Sequence, residues 1–151
     1  MSVEFEGYEE TLEDLQQMQE QFAGGNIMLA AMRDAALLVA REAKTLAPVD
    51  TGRLRASITP DAYKTRDGYE GVVGSNVLYA PYVEFGTRPH WPPPGALVPW
   101  APRHGMSEGT ARYIIGTRGT KAHPYLIPAV ENNVQGIARI LERAVDKVIK
   151  N

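Results

Sequence analysis

The sequence contains no cysteine, which excludes disulfides, thiolate catalysis and cysteine-ligated zinc within these 151 residues. No apolar run approaches the roughly 20 residues that a membrane-spanning helix needs. No lysine or arginine precedes Arg33. A secretory leader starts basic and then turns apolar, whereas this chain opens "MSVEFEGYEE", so assembly in the cytoplasm without export is the expectation. There is no internal repeat and no low-complexity tail.

What is present is one ordinary domain's worth of core. Hydrophobic content of 44% and charged content of 23% match a soluble globular domain, and the length favours one domain over two. Charge is uneven. Residues 1–32 carry Glu4, Glu6, Glu9, Glu10, Glu13, Asp14 and Glu20 with no opposing base, a net −7, so the remainder holds +5 of the chain's −2. Such asymmetry suits a charged surface that meets a partner, and equally a solvated acidic helix face.

Tyr8, Leu12, Leu15, Met18 and Phe22 recur at steps of 4, 3, 3 and 4, one apolar stripe on a helix. Gly24-Gly25 ends it and Asn26 can cap the next, over 27–47, whose Ala, Leu and Met favour helix until Pro48 stops it. Leu54, Ala56 and Ile58 then alternate with Arg53, Arg55, Ser57 and Thr59, the period of a half-buried strand. Asp67-Gly68 between "AYKTR" and "YEGVVG" predicts a hairpin, and Val77-Leu78 can begin a further strand. From Ala80 a helical turn is expected, with Pro81 at its start and Gly86 at its end. Ser107 can cap a short helix through Ile115 that Gly116 ends, and the loop "TRGTKAH" follows. Pro128 can open a long helix whose stripe is Val130, Val134, Ile137, Leu141, Ala144 and Val148. The expected fold is α+β: an antiparallel meander of three to four strands packed by N-terminal and C-terminal helices over one face. Residues 1–25 are expected to be an acidic helix, and 26–151 a single α+β domain with a Pro-rich arm at 87–105.

Enzyme chemistry is poorly served. Gly105-Met106-Ser107-Glu108-Gly109 is a literal G-x-S-x-G, but two prolines occupy the place of the required strand. The only later histidine is His123, and the only acid between is Glu108 itself, so a helix cap explains Ser107 better than a serine hydrolase does. His90, His104 and His123 make no metal-binding spacing. In "GTRGTK" (116–121) the glycines are three apart rather than the five of a phosphate loop. Arg112, Arg118 and Lys121 could meet phosphates or simply be solvated. The reading is a non-enzyme with no cofactor and no metal.

The arm is the unusual feature. Seven of the chain's 11 prolines lie between Pro81 and Pro102. A loop stiffened by proline loses less entropy on docking, and Trp91 and Trp100 are of the residue type most enriched at binding hot spots. Tyr79, Tyr82 and Phe85 read as core rather than interface.

Three segments in order, "APVDTGRLRASI" (47–58), "YAPYVEFGT" (79–87) and "GTKAHPYLIPAVEN" (119–132), resemble the tail-completion, or head–tail joining, family of long-tailed bacteriophages. The resemblance spans residues 27–150 and leaves the acidic segment unplaced. It implies a homo-oligomer, a hexameric ring at the head-proximal tip of the tail. This ring would join the tail terminator to the head's connector and stopper proteins, around double-stranded DNA that passes without sequence-specific binding. The location implied is the virion neck, after assembly in the bacterial cytoplasm. Another neck ring, a tail terminator or head-closure stopper, is the alternative.

Expected partner-facing residues are Trp91, Trp100, Arg53, Arg55, Glu84 and Arg88. Arg53 and Arg55 would share a sheet face and pair with a neighbour's carboxylates, and Glu84 is such a carboxylate, whose partial burial would require pairing. Asp50, Thr51, Gly52 and Gly86 are expected to make turns, with Gly52 at positive φ.

Overall fold

The computed structural model describes residues 26–150, so the expected acidic helix lies outside the described residues. Helix α1 (Asn26–Leu46) follows from its run of strong helix formers and ends where Pro48 disfavours helical geometry at Ala47. Asn26 is already within the helix rather than its cap. Gly52 takes φ 80°, the left-handed angle that a side chain resists, and reverses the chain into the short helix α2 (Arg53–Ser57).

That helix corrects the expected first strand. Leu54 and Ile58 are spaced by four as well as by two pairs, so the same pattern fits one helical turn. Leu54 is the buried member of α2, and its carbonyl accepts from Ser57 Oγ at 2.7 Å. Strand β1 starts at β-branched Ile58 and runs to Thr65, pairing antiparallel with β2 (Gly68–Ser75). These two strands are the whole sheet among the described residues, and Val77-Leu78 is turn rather than strand. Arg66-Asp67 forms the hairpin turn, one residue earlier than expected, because Thr65 already pairs with Gly68. Pro60 sits within β1, tolerable because a two-stranded sheet consists of edges.

Helix α3 (Ala80–Phe85) has Pro81 in its first turn and Gly86 at its end. Beyond the arm, a 3-10 turn (Ala101–His104) precedes α4 (Glu108–Arg118). Ser107 caps α4, its Oγ accepting from Thr110 N at 3.1 Å, but the helix runs through Gly116 and ends at Gly119. Helix α5 (Leu126–Lys150) closes the fold with Pro128 in its first turn.

Helix α1 is the centre. The hairpin packs on one side of it and α5 on another, so the two long helices do not share a sheet face. The cause is composition: Ala31, Ala35, Ala36, Val39, Ala40 and Ala43 are all buried, and small side chains let neighbours approach from two directions. The core continues through Leu54, Ile58, Ala80, Tyr125 and Ala129, with Val73, Val83 and Ile137 against it. On α5 the buried stripe is Ala129, Ala144 and Val148 with Ile137, while Val130 and Val134, expected inside, are exposed. Among the described residues no helix is long and apolar enough to cross a membrane.

Candidate assembly surface

Glu84 is 4% exposed, and its charge is matched inside the chain. Oε2 accepts from the N–H groups of Tyr125 (2.8 Å) and Leu126 (2.9 Å), and Oε1 from that of Ile127 (2.9 Å). A helix start leaves its first N–H groups without intrahelical acceptors, and here the next residue, Pro128, has none to satisfy. The carboxylate therefore serves every unpaired donor at the start of α5 and sits at the positive end of that helix. Its partner is a helix N-terminus and not a guanidinium.

Directly after α3 the chain meets the segment before α5. Thr87 N donates to Thr120 O (3.0 Å), Thr120 N to Thr87 O (3.2 Å), and the two hydroxyls lie 3.1 Å apart. His123 N donates to Val83 O at 2.7 Å. Glycines make this approach possible. A Cβ on Gly86 (φ 67°) would lie 2.5 Å from Thr120 O, and one on Gly119 (φ 73°) would collide with the Thr87 carbonyl. Residues 88–118 thus leave and re-enter the domain at one bridge.

Within that excursion the arm is held to α4. Trp91 lays its ring on Gly116, where an added Cβ would lie 2.6 Å from the ring, yet the residue remains 62% exposed. His90 N donates to Ile115 O (3.2 Å) and Arg112 Nε to Pro92 O (2.9 Å). Trp100 is half-buried and stacks on His104, with centroids 4.2 Å apart. Arg103 ties the arm back to the domain: its NH2 is 2.6 Å from Asp50 Oδ2 and its Nε 3.0 Å from Oδ1. That guanidinium holds the Asp50 carboxyl below its ordinary pKa, and Asp50 raises that of Arg103. Burial, with the Glu84 charge adding to it, pushes the Tyr125 phenol up.

The remaining anticipated residues fall in separate places. Arg53 and Arg55 are both exposed, but on a helix two residues lie about 200° apart, so they do not share a face. Arg88 is exposed beside the Thr87 bridge. Thr51 Oγ1 lies 3.5 Å from Arg53 N at the α2 turn. The aromatic residues of α3 correct another expectation. Ala80 and Glu84 face inward, which turns Tyr79, Tyr82 (60% exposed) and Phe85 (68% exposed) outward, with Leu78 (92% exposed) beside them. Spacing carries that signal, because 79, 82 and 85 lie three apart, off the phase of 80 and 84. The Asp50–Arg103 pair, 53 residues apart in sequence, has no local signature.

Ser107 Oγ is engaged by Thr110 in capping, and the described residues hold no group of three or more metal-ligating side chains. The described residues thus make a small α+β domain with an exposed aromatic face and a bridged, proline-rich excursion. A family model, that of the HK97-gp10-like bacteriophage tail components, matches residues 9–86. The chain belongs to this family, a phage structural tail component carried in the virion. The match takes in most of the acidic segment and the segments at 47–58 and 79–86, and it stops before the arm. Comparison with curated proteins and with solved structures gave no match.

Proposed function

We propose that the protein is a ring-forming subunit at the head-proximal end of the phage tail. The ring joins the tail to the head connector around the DNA channel and consists of copies of this chain, six in number. The carrying observation is the excursion at 88–118: its feet are fastened by Thr87 and Thr120, its loop is stiffened by proline, and Trp91 remains 62% exposed. Fastened feet and a stiff loop reduce the entropy lost when the arm meets another chain. The outward aromatic face of α3 supplies a second apolar contact of the kind that protein partners cover. DNA passes through the ring without being read.

Localisation on virions by cryo-electron microscopy tests this. Density for the subunit as a ring between tail tube and head supports the reading. Density at the distal tip, or within the head stopper, overturns it.

A further inference from the structure

The first part of the arm is pinned along α4 at three points. His90 N donates to Ile115 O, Arg112 Nε to Pro92 O, and Gly95 N to the Glu108 carboxylate. Pro92 is buried in this arrangement, whereas Pro89, Trp91, Pro93 and Pro94 are exposed, and Gly95 ends the run at φ 87°. From Pro89 to Pro102 the sequence has no Asp, Glu, Lys or Arg. A fixed, uncharged strip of proline and tryptophan is therefore held outward.

Helix α3 carries the matching chemistry. Tyr79, Tyr82 and Phe85 stand outward with Leu78 beside them, and residues 71–83 include no charged side chain. Taking about 200 Å² for a whole side chain, these four leave on the order of 500 Å² uncovered. That is more than half of the roughly 800 Å² that each partner contributes to a stable interface. Aromatic surfaces are what proline-rich segments dock on, because a stiff segment has little conformational entropy left to lose.

We propose that the aromatic face of α3 in one copy receives residues 89–94 of the arm of a second copy. The chain's own arm does not fill that face, since both surfaces are exposed in the same chain and the three pins hold the arm on α4. Both surfaces lack charge, as the core of a protein interface does. Receptor and ligand on different parts of one chain make a head-to-tail contact, the kind that closes into a ring. The inference rests on the ring reading for the presence of a neighbouring copy, and it names the two surfaces that meet.

Full-length Trp91→Ala/Trp100→Ala has no tryptophan, so a synthetic peptide of residues 88–95, RPHWPPPG, carries the only indole when the two are mixed. The peptide's emission is expected to shift to the blue and saturate. Adding Tyr82→Ser/Phe85→Ser, both at exposed positions, is expected to weaken binding at least tenfold. No saturable shift, or one that these two substitutions leave unchanged, overturns the proposal. Cross-linking reads the source of the arm. The chain lacks cysteine, so the full-length single variants Tyr82→Cys and Pro93→Cys, one of them tagged, are incorporated together into particles and oxidised. A disulfide joining the two variants is expected. Links only between like variants, links to a different protein, or none overturn the second copy as occupant. Imaging of the particles decides the ring position separately: peptide binding and the mixed disulfide with density elsewhere reject that position and keep this contact.

Discussion

The carboxylate of Glu84 accepts from the N–H of Ile127 at 2.9 Å, so a six-residue helix caps one that begins 42 residues later. A long-range cap of this kind couples α3, the foot of the arm and α5 into one unit. Glu84→Ala leaves up to three backbone donors at a largely buried helix start without acceptors. The expected cost is on the order of 3 kcal/mol, and Glu84→Gln, which keeps one acceptor oxygen, costs roughly half that. Urea denaturation of the two variants checks both the size and the order.

Gly52→Val is expected to destabilise the fold by about 1–3 kcal/mol through backbone strain alone. Beyond the adjacent residues no atom lies within 4 Å of the Cβ it would gain, so the Cβ itself meets no collision. An unchanged melting temperature would show that the φ of 80° is not required.

Replacing Trp91 and Trp100 by Ala is expected to leave the domain folded and to prevent its incorporation into particles. Thr87, Thr120 and Glu84 hold the domain without either tryptophan. Normal incorporation of the double variant into virions would remove the arm from the assembly surface.

Two groups set opposite pH limits. Asp50 has a folded pKa below its unfolded one, so its tie to Arg103 stabilises fully above the ordinary carboxylate range and is lost as pH falls through the folded value. Proteolysis of the arm near 99–104 is expected to quicken in acid while α5 stays protected. Tyr125 has a folded pKa above the ordinary phenol value of 10.0, so its contribution is complete below that value and is lost above it. Global unfolding on the alkaline side is expected to track phenolate absorbance, and Tyr125→Phe is expected to abolish that link.

Long periodic elements were legible from sequence, as were the short helices marked by Pro81 and Ser107, but the segment at 53–57 was not. The runs over α1 and α5 are long enough for a 3.6-residue period to stand out. Five residues at 53–57 satisfy a strand period and a helix period together, and only the turn at Gly52 decides between them. Val130 and Val134 misled because α5 turns toward α1 through Ala129 and Ile137, and valine carries no mark of which face is covered. Tyr79, Tyr82 and Phe85 misled because aromatic character alone suggests burial, while six residues of helix can bury only one side. Gly52 and Gly86 take positive φ, a local requirement, whereas Gly116, expected to end α4, lies inside it, and Gly68 lies in β2 rather than in the turn. The Glu84 cap and the Thr87–Thr120 bridge are contacts between distant segments, which only the folded chain brings together.

The bridge between Thr87 and Thr120 also makes residues 88–118 a cassette. Both feet are fixed by backbone hydrogen bonds, which do not depend on side-chain identity beyond the glycines beside them. Doubling the length of a loop with fixed ends costs only about 0.6 kcal/mol in closure entropy. Arm length and sequence can therefore change at little cost, while the domain beneath keeps its fold.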